Sequence, residues 1–346
     1  MLNFGKNQSN MYLITKTKIN TILLTGLIFI TSGCSFQTNL STTFPTPSKQ
    51  VIQSVTPTTI SQNIPEPETP TPLEVNPSST ITPIASLRFA VIGDFGSGDN
   101  HEKSVADLVN SWHPDFIVTT GDNNYPSGSE DTIDENIGKF YHEYIFPYKG
   151  NYGKGSDINR FFPTLGNHDW MSEAAQPYLD YFTLPGNERY YEFTWGEIQF
   201  LMLDSDSNEP DGVGSSSIQA QWLKESLQNS NKKWQIVIMH HPPYTSGLRG
   251  PVDWMRWPYK DWGADAVLSG HDHYYERLNE NDLIYFINGA GGGSLYDFGI
   301  PAEGSQKRFT GVHGAMLVTT ADQSILFQFF TVDGKLIDQY TIYNHP

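Results

Sequence analysis

His271 and His273 flank one residue in Gly270-His271-Asp272-His273, directly after the apolar run Ala266-Val267-Leu268. If that run is a strand, alternate side chains point to opposite faces, and the chain turns into a loop as the imidazoles arrive. Two histidines so spaced can reach two metal ions instead of chelating one. Four more places carry metal-binding residue types after short apolar runs: Gly93-Asp94-Phe95-Gly96, Gly121-Asp122-Asn123-Asn124-Tyr125, Gly166-Asn167-His168-Asp169 and His240-His241-Pro242-Pro243. Each alone is weak evidence. A lone Gly-Asp after a strand is usually a turn, a lone His-x-His is usually surface, and the asparagine could cap a helix. Together, in this order, they supply carboxylate, amide and imidazole, which suits Fe, Mn or Zn; without thiolates the set does not read as a structural zinc site. Two ions about 3.5–4 Å apart can clamp a phosphoryl group and lower the pKa of a bridging water. A central aspartate can bridge the pair and offset their repulsion.

The elements that would position these residues are legible from apolar patterning. Leu87 to Ile92 and Phe116 to Thr120 read as strands, and Lys103 to Trp112 as a helix with Val105, Leu108, Val109 and Trp112 at helical spacing. A strand-helix-strand succession implies a parallel pair joined by a right-handed crossover. That puts Asp94 and Asp122 side by side at strand C-termini, where open α/β sheets place ligands. Phe161 to Leu165 leads into Gly166-Asn167, Trp234 to Met239 runs into His240, and Ile198 to Leu203 and Leu283 to Ile287 are further strands. Ser215 to Asn229 is a helix with Ile218, Trp222, Leu223 and Leu227 on one face. Asp333-Gly334, between Ser324–Val332 and Lys335–Ile342, is a hairpin signal. The glycines at 291–293 read as a flexible turn, with an anion cradle as the alternative. The first part alternates strand and helix and the end is mostly strand. The expected class is α/β (α+β), a four-layer αββα sandwich of two mixed sheets flanked by helices.

The chain has 346 residues and a formal net charge of −17. That argues against a nucleic-acid partner, which would need a basic face; ordinary solubility explains the acidity. Its 30 glycines and 13% aromatics suit a loop-rich α/β globule and not a helical bundle. A single cysteine, Cys34, excludes a disulfide framework within the chain. Residues 1–33 read as an export signal, with Lys16 and Lys18 ahead of an apolar stretch, Thr21 to Ile30, too short to span a bilayer. Thr31-Ser32-Gly33-Cys34 resembles a bacterial lipobox, with Thr31 where an aliphatic residue is usual. Lipidation of Cys34 would anchor an exported lipoprotein at the cell envelope; one acyl chain binds weakly, so several are expected. Residues 34–85, rich in Thr, Pro, Ser and Gln, cannot bury enough apolar surface to offset ordering entropy, and read as an extended tether. Residues 86–346 are then the catalytic domain.

The ordered set Gly93-Asp94-x-Gly96, Gly121-Asp122-x-x-Tyr125, Gly166-Asn167-His168-Asp169, Val237-x-x-His240 and Gly270-His271-x-His273 resembles that of the purple acid phosphatases, within the calcineurin-like metallophosphoesterases. Tyr125, three residues after Asp122, separates this subfamily from the wider group. The absence of a preceding sandwich domain resembles the small, tartrate-resistant type. The resemblance implies a first metal, Fe(III), on Asp94, Tyr125 and His273; a second, Fe, Mn or Zn, on Asn167, His240 and His271; and Asp122 bridging both. It implies that His168 binds phosphate or protonates the leaving group, with Asp169 orienting it. His241, Arg249 and Asn124 are candidate substrate contacts, Arg249 standing where the mammalian-type enzymes often carry a histidine. The implied reaction is hydrolysis of phosphate monoesters by a hydroxide activated at the dinuclear centre, releasing inorganic phosphate from small-molecule substrates, with a monomer expected. Competing readings are a phosphodiesterase or nucleotide phosphohydrolase on the same fold, and a surface binding protein with an inactive site.

Overall fold

The computed structural model describes residues 86–344. The export signal, Cys34, the 34–85 tether and the last two residues of the chain lie outside the described residues.

Thirteen strands follow one another there: β1 (Arg88–Ile92), β2 (Phe116–Thr119), β3 (Phe161–Phe162), β4 (Tyr191–Trp195), β5 (Ile198–Met202), β6 (Trp234–Ile238), β7 (Ala266–Ser269), β8 (Tyr275–Glu280), β9 (Leu283–Asn288), β10 (Ser305–Phe309), β11 (Gly314–Ala321), β12 (Ser324–Thr331) and β13 (Leu336–Tyr343). They form a six-stranded sheet, β13-β12-β11-β1-β2-β3, and a seven-stranded sheet, β10-β8-β9-β7-β6-β5-β4. Both are mixed. β1, β2 and β3 run parallel, as do β5, β6, β7 and β9, while the outer strands are antiparallel.

Alternation along the central strands feeds two cores. β6 turns Ile236 and Ile238 one way and Val237 the other; β7 does the same with Ala266 and Leu268 against Val267. The first set meets the other sheet. The second packs under Ala220, Leu223 and Leu227 of the helix Ile218–Gln228. On the six-stranded sheet, the helix Asn100–Ser111 buries Val105, Ala106 and Val109. The result is the αββα sandwich expected. Between the sheets the filling is aromatic. Phe116 meets five rings: Phe89 at 5.0 Å, Trp195 at 4.7 Å, Phe200 at 5.4 Å, and Phe162 and Phe193 at 5.9 Å.

The first helix begins at Asn100, earlier than its apolar pattern, because the Asp99 side chain accepts from the His101 and Glu102 N–H groups. Strands β4, β8, β10 and β11 were not expected. Three of them carry polar residues such as Glu192, Glu276 and Lys307 within the run, so no apolar stretch announces them.

Candidate metal centre

Because β1, β2 and β3, and likewise β6 and β7, are parallel within their sheets, their C-terminal ends line one edge of the sandwich. Asp94, Asp122, Asn167, His240 and His271 all follow these ends within a few residues. Three of them, Asp94 (φ 54°), Asp122 (φ 51°) and His271 (φ 68°), hold left-handed backbone, which side-chain-bearing residues adopt at a cost when the surroundings over-determine it. The preceding glycines have a separate reason. A Cβ at Gly121 would sit 2.6 Å from His240 Nδ1, and one at Gly270 would sit 2.5 Å from Asp94 Oδ2. The Gly-Asp and Gly-His pairs therefore record how closely the ligand loops approach one another.

The side chains converge in two groups that share Asp122. In the first, the Tyr125 hydroxyl lies 3.0 Å from His273 Nε2, 3.1 Å from Asp122 Oδ2 and 3.4 Å from Asp94 Oδ1. His273 Nε2 lies 3.3 Å from Asp94 Oδ1. In the second, Asn167 Oδ1 lies 3.0 Å from His271 Nδ1 and 3.2 Å from His240 Nε2, and these two nitrogens are 3.2 Å apart. Asp122 Oδ1 faces this group, 3.4 Å from His240 Nε2. One carboxylate thus turns an oxygen to each side.

Tautomers are set from behind. His240 Nδ1 donates to the Thr120 carbonyl at 2.8 Å, and His273 Nδ1 to the Ser294 carbonyl at 2.8 Å. Each therefore aims an Nε2 lone pair inward. With His271 Nδ1 beside His240 Nε2, two lone pairs would face each other unless a proton or cation lies between. The electrostatics carry the same signature. Burial pushes the Asp122 carboxyl up, but the imidazoles of His240 and His168 hold it well below the usual range. Burial pushes His240 down, yet Asp122 and Asp94 outweigh it and raise it to about 10. His271 is pushed down to about 2 by burial, His240 and His241. Burial, Asp94 and Asp122 push the Tyr125 phenol far up, a shift that a cation at this spot inverts. Hard and borderline donors at this density, without a thiolate, fit transition-metal cations.

The remaining expected residues divide. His168 donates its backbone N–H to Asp122 Oδ1 at 2.8 Å, and its Nε2 lies 3.9 Å from Asp122 Oδ2, with the side chain 30% exposed. Its ring is oriented by the Pro126 carbonyl, 2.6 Å from Nδ1. Asp169 is not the orienting group, which corrects that expectation. Its carboxylate is buried and taken by the Gly166 N–H and by the backbone and side chain of Asn123, so it shapes the loops on either side. Burial and nearby Asp122 raise it to about 7. Asn124 is not a substrate contact either. It is buried, its Nδ2 donating to the Ser129 carbonyl and its Oδ1 accepting from Thr132 and Asn136. His241 lies at the edge of the second group, its ring 4.6 Å from that of His271 and tilted 46° to it, with Nδ1 3.0 Å from Ser205 Oγ. Burial and His240 push it down to about 3, so it is neutral. Arg249 is exposed and lies over the Tyr296 ring. The glycines at 291–293 are neither a loose turn nor an anion cradle. The Gly291 and Gly293 N–H groups clasp the carbonyls of Gly93 and Asp94. Tyr296, Ser205 and Trp254 complete the rim. No motif marks them, and only the fold brings them to the site.

The profile of the calcineurin-like phosphoesterases matches residues 87–275, more than half of the chain. The chain belongs to the calcineurin-like phosphoesterase family. As a member it is a phosphoester hydrolase. Tartrate-resistant acid phosphatase type 5 of Mus musculus is 26% identical over 246 residues, covering 60% of this chain and 73% of that protein. Purple acid phosphatase 17 of Arabidopsis thaliana is 24% identical over 244 residues, covering 60% and 68%. Among solved structures, a purple acid phosphatase from yellow lupin seeds superposes with a TM-score of 0.60 at 18% identity, over 75% of this chain and 54% of that one. A Plasmodium protein described as the anchor in the inner membrane complex gives 0.60 at 20% identity, over 75% and 90%. At those identities the structural likeness speaks for the fold.

Proposed function

We propose that this phosphoesterase is an acid phosphatase that releases inorganic phosphate from monoesters. It would hold one metal ion, Fe(III), on Asp94, Tyr125 and His273 and a second, Fe, Mn or Zn, on Asn167, His240 and His271. The observation that carries the reading is Asp122, whose two oxygens face the two groups separately. When bound, such a pair supplies Lewis-acid stabilisation of the phosphoryl oxygens and a water of lowered pKa.

The chain's own residues do the rest. With Nδ1–H spent on Pro126, His168 Nε2 is the nitrogen that faces Asp122 and solvent, placed to pass a proton to the departing alkoxide. His241, neutral and held by Ser205, walls the second group. Arg249 contributes positive charge at the mouth. The Tyr125 hydroxyl, between two carboxylates, becomes a ligand only as a phenolate. With Cys34 lipidated, the unit stands at the cell envelope on the 34–85 tether.

The direct test is transition-metal content measured with phosphate release from p-nitrophenyl phosphate and its bis ester. About two metals per chain and preference for the monoester are expected; preference for the bis ester would overturn the monoesterase reading, and fewer than about one metal per chain would indicate an inactive site. His168→Ala should lower turnover about 10²–10⁴-fold with metals retained; activity within about twofold of the parent would remove its assigned role. Tyr125→Phe should remove visible absorption from the ferric protein and leave its circular dichroism unchanged. An unaltered absorption spectrum would exclude ligation by Tyr125.

A further inference from the structure

The loop 244–251 is pinned to the histidine-bearing segment by two buried carboxylates. Thr245 Oγ1 donates to Asp272 Oδ2 at 2.5 Å. Ser246 donates its N–H to Glu276 Oε2 at 2.8 Å and its hydroxyl to Glu276 Oε1 at 2.5 Å. The same serine accepts from Ala302 N–H on Oγ and from Gly299 N–H on its carbonyl, which ties in the neighbouring rim loop. The loop is thus fixed at Thr245 and Ser246, beside the segment that carries His271 and His273, and its exposed tip follows three residues on.

At that tip the Arg249 guanidinium lies 5.0 Å from the Tyr296 ring centroid, with Nη2 3.4 Å from the Tyr296 hydroxyl. Tyr296 in turn lies flat on the His273 ring, centroids 4.1 Å apart and 8° from parallel. Guanidinium, phenol and imidazole form a three-layer stack running from solvent into the metal centre. Among the described residues Arg249 makes no ion pair. Apart from the Nη2 contact with the Tyr296 hydroxyl, the N–H donors of its planar fork have no partner among the described residues, and the ring holds them pre-oriented and poorly hydrated on one side, the arrangement that favours bidentate capture of carboxylate or phosphate. One ring, Tyr296, separates it from His273, so the guanidinium lies a layer further out than the imidazole that faces the first donor group.

We propose that Arg249, seated on Tyr296, is a subsite for a second anionic group on the substrate. The preferred substrates are then phosphomonoesters whose alcohol carries a further phosphate or carboxylate a few bonds from the reacting ester. This rests on the monoesterase reading and narrows it.

The test compares propyl phosphate with propane-1,3-diol bisphosphate, whose leaving groups are closely matched, using metal-loaded enzyme. The parent should favour the bisphosphate in kcat/KM, chiefly through KM. Arg249→Ala should shrink that preference about 10- to 100-fold, the span of a charge-assisted hydrogen-bonded pair, with Arg249→Lys between the two. Tyr296→Leu should shrink it in the same direction. An unchanged ratio, or equal losses on both esters, would overturn the subsite, the latter placing Arg249 on the reacting phosphate. If the parent turns over neither ester, the phosphatase reading fails. The subsite is then judged by calorimetry, where propane-1,3-bisphosphonate should bind the parent more tightly than propylphosphonate and lose that margin in Arg249→Ala. Equal binding of the two phosphonates would end it.

Discussion

Phe116 and Asp122 lie six residues apart on either side of the end of β2, in regions ruled by different requirements. Around Phe116, rings from both sheets meet face to face and edge to face, and what is asked of each position is volume and apolar surface. Around Asp122, backbone sits in left-handed conformations, glycines stand where a Cβ would strike a neighbouring loop, and polar atoms lie within 3.0–3.4 Å of several others. The interior degrades by degrees when altered, whereas the rim has almost no slack.

Substitutions can break or sharpen that contrast. The largest effect is expected at the rim from the smallest change. Gly270→Ala puts a methyl group 2.5 Å from Asp94 Oδ2 and 2.7 Å from the Thr120 carbonyl. Turnover should fall more than about 10²-fold, as misplacement of a catalytic group by about an ångström does, with bound metal lost and circular dichroism preserved. Retained metal and activity would mean the loops have room after all. Phe116→Ala, a far larger deletion, should cost about 3–5 kcal/mol of stability in denaturant titrations. Its folded fraction should keep parental metal content; a parallel loss of metal would show that the interior and the rim are not separable.

The smallest effect lies at the far end of β7, away from the site. Burial raises the Asp265 carboxyl to about 6, against the opposing hydrogen bond from the Gln235 N–H. A carboxyl whose folded pKa lies above its unfolded value favours folding in its protonated form. That contribution is complete below about pH 4 and is lost as pH rises to about 6. Asp265→Asn should therefore raise the melting temperature at pH 7–8 and leave it little changed at pH 4. A uniform shift at every pH would contradict this.

The contrast also explains what the sequence disclosed. β1, β2, β6, β7 and β9 are buried on both faces, so they read as continuous apolar runs. β8 and β10, further out, mix charges with apolar residues, and β4 closes the other edge with Glu192 exposed; no run of three apolar residues marks them. The donors around Asp122 stood out because chemistry restricts residue type at fixed offsets. What surrounds them did not. Asp169 and His168 are adjacent in sequence, yet their side chains bond to different loops. Asn124, one residue before Tyr125, turns into the fold and not toward the mouth. Tyr296 reaches His273 across a separation that no local pattern encodes.

Asp122 leaves the six-stranded sheet and His240 leaves the seven-stranded one, so their 3.4 Å approach crosses from one layer to the other. Cations lodged there would act as rivets. Sliding one sheet over its partner would have to tear coordination bonds as well as separate aromatic rings. Loss of the ions should then be felt mechanically by the whole sandwich, and chelation should lower resistance to forced shear far more than any single hydrophobic truncation at the periphery.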